Sequence, residues 1–357
     1  MQVIGIKRAV KHSPNHINND ATIFQMVADL LKERGAVLTT YHEHEFLKTE
    51  HKTDTFKDTQ LIFSMSRNPE VLSRLQSIQK TYGQQIAMLN SPDGIEHCFR
   101  SNITRILLNS NIATAPSLII PTQGYDRKDL QKLDQGHGLW LKRGDFHAII
   151  KEDVVFAGNP EEATELLAAF KARNIAEVVA SSHLAGDLIK FYGVSGTDFF
   201  HWLYPYEKGH YKYKEFEAIN GETKHFKFNQ SALRALADKT AVAAEVPIYG
   251  GDAVIDASGN IAIIDFNDWP SFAPCRKQAA AAIYQLLTQA IDSATQKQTT
   301  SLFQPKTAFN QSTNGQKAVP ASTASTARTA TVVAMQEHAD RNKQRPKPVH
   351  NNKAADK

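Results

Sequence analysis

Residues 249–274 read Y-G-G-D-A-V-I-D-A-S-G-N-I-A-I-I-D-F-N-D-W-P-S-F-A-P, and this stretch decides the fold. Ala253-Val254-Ile255 and Ile261-Ala262-Ile263-Ile264 have the composition of buried strands, with good turn chemistry in the D-A-S-G-N between them. A hairpin of this kind brings Asp252 close to the Asp265 end of the partner strand. Asp265 and Asn267 stand two apart, so in a strand they project from one face. Two carboxylates and an amide oxygen converging at a strand end make a hard-oxygen site suited to magnesium bridging phosphates. The plainer reading is a tight turn with Asp265 and Asn267 in solvent. It accounts for either residue, but less easily for both at the end of an Ile-rich strand with Asp252 opposite.

Upstream, strand and helix patterns alternate. Residues 3–6 read as a strand, 21–34 as a helix stopped by Gly35, 36–38 as the start of a second strand, 61–65 as a third, and 69–82 as a helix closed by Gly83. That alternation implies a small parallel α/β layer up to about residue 90. Further on, the patterns predict a helix over 101–108, strands over 139–142 and 148–156 around R-G-D-F-H, and a helix over 160–173 capped by Asn159. Strands are expected over 178–192 and 211–228, and helices over 232–244 and 279–290. Beyond about Thr295 the chain is rich in Thr, Ser, Ala, Gln and Lys, which predicts a disordered tail.

A chain of 357 residues, 41% hydrophobic and 22% charged, has room for two or three ordinary globular domains. No apolar run approaches the roughly 18–20 residues of a membrane helix, and the opening M-Q-V-I-G-I-K-R lacks a signal peptide's apolar core. Cys98 and Cys275 make neither a disulfide framework nor a zinc site by themselves, so a reducing cytoplasmic location is the expectation. The net charge is +4, but from Lys297 onward ten Lys or Arg face three acids; the tail is +7 and the rest −3. The basic balance therefore does not argue for a specific nucleic-acid partner of the core. No Ser/His/Asp spacing, Cys-x-x-Cys pair or P-loop is present.

The motif order carries a resemblance. G-G-D-A-V-I-D followed by I-I-D-F-N-D-W-P-S-F resembles the C-terminal metal segment of the ATP-grasp superfamily, in which an Asp precedes Glu/Asp-x-Asn by some dozen residues, with a Pro soon after. Leu139-Trp140-Leu141-Lys142 is similar to the strand whose Lys holds the ATP phosphates. V-V-A-S-S-H-L-A-G-D-L-I-K-F-Y-G-V, from 178 to 194, is similar to the interdomain hinge and the following K-x-Y-x-V strand of inositol polyphosphate kinases, and to the related Arg strand of peptide ligases. Residues 90–116 resemble the family's N-s-p lead-in segment. The resemblance spans roughly residues 85–285. It implies an α/β (α+β) ATP-grasp fold with an N-terminal parallel layer over 1–90, a lid-bearing middle domain over 91–182, a metal-binding C-terminal domain over 183–295, and a tail over 296–357.

It also implies roles. Lys142 would meet the α/β-phosphates as a point charge, and Lys190 would replace the Arg or Lys that meets the γ-phosphate. Arg100 falls where the family often has a Lys facing the phosphates. Adenine would be read by the backbone around Ala180, Ser181 and Ser182, with Asp187 the nearest carboxylate to the ribose. The lid turn R-G-D-F-H-A holds only Gly144, which makes His147 and Arg143 side-chain substitutes for a Gly-rich lid. Asp252, Asp265 and Asn267 would hold Mg2+, or Mn2+ in its place, and Arg276 an anionic substrate or the transferred phosphoryl group. For Lys142, Arg100 and Arg276 a solvated or structural role is the competing reading. The polar loop from His12 to Asp20 follows the first strand and is the expected site of substrate recognition.

The leading expectation is an ATP- and magnesium-dependent ligase joining a small-molecule carboxylate to an amine through an acylphosphate. A small-molecule kinase and a catalytically reduced nucleotide-binding regulatory protein are the alternatives, and homodimer formation is an open option.

Overall fold

The structure is a computed structural model and describes residues 1–13, 17–49, 56–83, 85–205 and 218–302. Strand β1 (Gln2–Ile6) lies between β2 (Val37–Tyr41) and β3 (Thr59–Ser64), and β4 (Ala87–Leu89) completes a parallel sheet of order β2–β1–β3–β4. β1 is buried along most of its length because helices cover parallel sheets on both faces, which is why it reads as an unbroken apolar run. Helix α1 (Ile17–Glu33) links β1 to β2, α2 (Glu43–Lys48) follows β2, and α3 (Pro69–Tyr82) links β3 to β4. At the start of α3 the Asn68 side chain accepts from Glu70 N and Pro69 occupies the first turn, a start signal legible in sequence.

Helices α4 (Pro92–His97) and α5 (Arg100–Asn109) lead to an antiparallel sheet of order β5–β8–β6–β7, formed by β5 (Ser117–Pro121), β6 (Leu139–Arg143), β7 (Val154–Ala157) and β8 (Glu177–Ser182). Helices α6 (Arg127–Leu133) and α7 (Pro160–Ala172) back it. A third sheet, also antiparallel, has the order β10–β9–β11–β12, from β9 (Asp187–Val194), β10 (Phe200–Leu203), β11 (Ile248–Ile255) and β12 (Ile261–Asp268). Helix α8 (Gln230–Ala244) packs on it, and α9 (Arg276–Leu302) follows.

Core membership cuts across the boundaries expected near residues 90 and 183. Ile103 and Leu107 of α5 share a core with Ile189, Phe191 and Phe266 of the third sheet. Ala279, Ile283 and Leu287 of α9 pack with Phe24, Leu31 and Phe63 of the first layer. The helix after the last strand thus closes the core of the first sheet, a pairing no local pattern encodes.

The strand expected over 148–156 shortens to β7. Asp153 Oδ2 accepts from Ile149 N at 2.8 Å and Ile150 N at 3.1 Å, which folds the preceding residues into a turn. Of the strand expected over 211–228, residues 211–217 lie outside the described residues and 218–228 form no strand. There the Lys224 and Phe226 N–H groups donate to the Asp187 carboxylate at 2.6 and 2.7 Å instead of to a neighbouring strand. The expected tail from residue 303 also lies outside the described residues. Among the described residues no helix is long and apolar enough to cross a membrane.

Candidate active site

The hairpin β11–β12 turns at residues 256–260. Asp256 Oδ1 accepts from Ser258 N and Asn260 N at 2.8 and 2.9 Å, and Gly259 takes φ +81°, where a side chain would be strained. The resulting register sets Asp252 directly opposite Asp265, and on the other side of β11 opposite Lys190 of β9. A bulge follows at once, because Asp252 pairs with Asp265 while Ala253 pairs with Ile263, leaving Ile264 as the extra residue. The Ile264 carbonyl accepts from Lys142 Nζ at 3.0 Å, so the irregularity draws a middle-sheet lysine to the carboxylates.

Cations surround those carboxylates. Arg100 Nη1 donates to Asp265 Oδ1 at 2.5 Å, and Lys190 Nζ to Asp252 Oδ1 at 2.9 Å. Burial alone would push the Asp265 carboxyl up, but Arg100, Lys142 and Lys190 outweigh it and hold Asp265 well below the usual carboxylate range. Burial pulls Lys142 down to about 8, with Arg100 adding to the effect and Asp265 and Asp252 opposing it. Lys142 therefore keeps its charge at neutral pH.

A second buried cluster adjoins this one. Asp268 is fully buried and accepts from Arg67 Nε at 2.8 Å and Arg8 Nη2 at 3.3 Å, and Arg8 Nη1 reaches Asp20 at 3.0 Å. Ser13 donates its hydroxyl to the same Asp20 oxygen. His147 Nδ1 lies 3.0 Å from Asn267 Oδ1, and its Nε2 lies 3.3 Å from Asp268 Oδ1. Burial pulls His147 down to about 4, Arg67 adds to this, and Asp268 opposes it. Burial raises Asp268, but Arg67, His147 and Arg8 together hold it below the ordinary carboxylate range.

All of these side chains except Asp268 line one cavity of about 730 Å³. Its chemistry changes along the strands. Leu188 pairs with Val254 two residues from the Lys190–Asp252 pair, and Trp140 stands two residues before Lys142. All three line the cavity, so an apolar belt lies one pleat, about 6.6 Å, from the charged belt. Trp140 Nε1 donates to His183 Nδ1 at 3.0 Å.

Asp252, Asp265, Asn267, Lys142, Lys190, Arg100, His147, Ser181 and Ser182 all reach this cavity. Ala180 and Asp187 do not line it. β8 is an interior strand in which Ala180 and Ser181 pair with β5 on one side and residues 180–182 pair with β6 on the other, while the Ser182 N–H donates to the Pro116 carbonyl at 2.9 Å, so these backbone groups are engaged. The first residue past the strand on the cavity wall is His183, whose N–H donates to the Gly138 carbonyl at 3.0 Å, and Leu184 follows it there. The Asp187 carboxylate accepts from the backbone N–H groups of Lys224 and Phe226 and does not line the cavity. Arg276 is likewise absent from the wall; its Nη2 donates to Asn19 Oδ1 at 2.6 Å and ties α9 to α1. Arg143 pairs with Asp145 at 2.5 Å and is absent from the wall, whereas His147 lines the cavity together with Ala148, Ile149, Ile150 and Lys151 of the same loop. Gly144 is a packing glycine, since a Cβ there would meet Ser101 Oγ at 2.5 Å.

Sequence reading missed Arg8, Arg67 and Asp268. The rule that pointed to the His12–Asp20 loop, that ligands gather past the carboxyl ends of parallel strands, also covers Arg8 after β1 and Arg67 after β3. Asp268 carried no signal beyond its place after Asn267. The structure does bring His12, Ser13, Asn19 and Asp20 to the cavity wall.

No protein-family model matches the chain, and no curated protein matches it in sequence. Solved structures do match in shape. A D-alanine–D-alanine ligase from Bacillus anthracis complexed with ATP aligns over 84% of this chain and 99% of its own, with TM-score 0.55 and 13% identity. The D-alanine–D-alanine ligase from Coxiella burnetii aligns over 85% and 98%, with TM-score 0.59 and 10% identity. A RimK domain ATP-grasp protein from Sphaerobacter thermophilus aligns over 81% and 100%, with TM-score 0.55 and 11% identity. At such identities the likeness speaks to fold alone: the chain has the ATP-grasp fold that its motif order implied.

Proposed function

We propose that this ATP-grasp chain is an ATP-dependent carboxylate–amine ligase. The observation that carries the reading is the step from an apolar belt at Trp140, Leu188 and Val254 to a charged belt at Lys142, Lys190 and Asp252 within one cavity. A purine base and its phosphates demand that sequence of surroundings. Shape likeness to ligases, one of them complexed with ATP, supports it.

The donor set fits a hard divalent cation. Asp252 and Asp265 face each other across the hairpin, and Asn267 adds an amide two residues on. Among the described residues no three His, Cys, Asp or Glu side chains gather as a metal cage, so phosphate oxygens and water would complete the coordination. Magnesium bound there would neutralise phosphate charge and orient the nucleotide. Without nucleotide, Arg100 and Lys190 balance the two carboxylates. With it, both cations are placed to turn to phosphate oxygens, so positive charge is built in before ligand arrives.

Reaction then needs alignment more than covalent help. An oxygen of the substrate carboxylate attacks the γ-phosphorus, the bond to the ADP oxygen breaks, and an acylphosphate forms. An amine nitrogen next attacks the acyl carbon, the bond to the phosphate oxygen breaks, phosphate departs, and the nitrogen loses a proton. Lys142 and Lys190 balance charge on the phosphates. The wall bearing Arg8, Ser13, Asp20 and Arg67 is where the carboxylate and amine would lie.

Incubation with ATP, magnesium, pooled amino acids and hydroxylamine tests the reading. Amine-dependent release of ADP and phosphate, with hydroxamate trapped from the acylphosphate, is expected. A stable phosphorylated product with no amine requirement would make the protein a kinase, and nucleotide binding without turnover would make it a regulatory protein.

A further inference from the structure

His147 is 5% exposed and its ring is fixed by edge contacts to Phe99 and Phe146, with centroids at 5.6 and 5.8 Å. Its two nitrogens face two groups that both present oxygen, Asn267 Oδ1 at 3.0 Å and Asp268 Oδ1 at 3.3 Å, and Nε2 makes no hydrogen bond. A neutral imidazole has one N–H and one lone pair, so it cannot satisfy two acceptors. Asp268 is a carboxylate held by Arg67 and Arg8 and offers only acceptors. The Asn267 amide can turn over, because its oxygen and nitrogen have the same shape. For the neutral ring, one arrangement leaves every group matched.

We propose that His147 is a positioning residue that orients Asn267: Nε2–H donates to Asp268, Nδ1 accepts from the Asn267 side-chain N–H, and Asn267 Oδ1 is thereby left to serve as a metal ligand. The loop between β6 and β7 would then contribute a side chain to the metal site where a Gly-rich loop would bring backbone to the phosphates. It acts on the metal site through an amide and not on the phosphates directly. Asp268, held by two arginines from beyond the first sheet, is the fixed end of the relay. The inference rests on the ligand role given to Asn267 above.

Two measurements test it. Long-range 1H–15N spectra of the histidine rings at pH 7, with His147 assigned by its loss in His147→Phe and independently in His147→Gln, should show the Nε2–H tautomer. An Nδ1–H tautomer, or an imidazolium, overturns the relay. Mn2+ binding to the protein with a non-hydrolysable ATP analogue, followed by electron paramagnetic resonance, should weaken by roughly 10–100-fold in His147→Phe, as loss of an orienting partner does. The same titration is run without metal, and a loss of equal size there overturns the relay, because it would put His147 on the nucleotide itself. Equal Mn2+ affinity in wild type and variant overturns the proposal. If the wild type takes up no Mn2+ with the analogue, the ligand role of Asn267 and the ligase reading both fall, while the tautomer still reports whether the hydrogen bonds exist.

Discussion

Lys142 offers a test in which stability and binding should move in opposite directions. The residue is 9% exposed and stands beside Arg100, and its pKa drops from 10.5 to about 8. That difference corresponds to about 3 kcal/mol of cost for keeping the ammonium charged in the fold. The sign follows from proton counts. Between about pH 8 and 10.5 the unfolded chain holds more protons than the folded one, so the folded state gains stability across that window, and at pH 7 the whole cost is present. Lys142→Met removes the charge but also the hydrogen bond to the Ile264 carbonyl, worth about 1 kcal/mol. The variant should therefore be about 2 kcal/mol more stable than the wild type in urea unfolding at pH 7, with the advantage gone by about pH 10.5. The same substitution should weaken ATP in calorimetric titration by one to two decades, about 1.5–3 kcal/mol for a lost charge-assisted contact. A variant more than about 1 kcal/mol less stable than wild type at pH 7, with ATP affinity unchanged, would refute the reasoning and make Lys142 a structural residue.

Asp265→Ala should abolish turnover and metal-dependent nucleotide binding; if both persist in Asp265→Ala and in Asn267→Ala, the metal assignment falls. Asp187→Ala, which takes a charged acceptor from two part-buried backbone donors, should cost about 1–3 kcal/mol in chemical denaturation. Its ATP affinity should stay within about twofold, and a tenfold loss would return it to the ribose. The folded pKa values of Asp265 and Asp268 are both lowered, so their stabilisation is present above about pH 4 and is lost as pH falls toward the folded values; a stability profile that declines already between pH 7 and 5 would contradict this. Arg67→Ala removes a partner from a fully buried carboxylate and should destabilise by about 3–5 kcal/mol, read by thermal or urea unfolding.

Much of this was legible in one dimension because it depends on short-range order. Strand periodicity, a D-x-S-G-N turn and a two-residue spacing fix the faces of Asp265 and Asn267, and the hairpin carries Asp252 to them without help from distant chain. Caps such as Asn68 and Asn159 mark helix starts because their partners lie within one turn. The order of motifs then pointed to the ATP-grasp fold. Other features depended on residues remote in sequence. The extra residue at Ile264 is an accident of register that reverses no local pattern, yet it delivers the carbonyl that holds Lys142. Asp187 stood as the nearest carboxylate to an expected ribose, and tertiary contacts brought the backbone N–H groups of Lys224 and Phe226 onto it. For Arg276 an anion-holding and a structural reading stood side by side in the sequence, and the packing of α9 on α1 gives it Asn19. Arg8 and Arg67 became cavity residues when Asp268, 260 and 201 positions away, drew their guanidiniums to the third sheet. A sequence states which side chains have charge to neutralise, but packing chooses the partners, because a buried charge must be matched by whatever group the fold brings within about 3 Å.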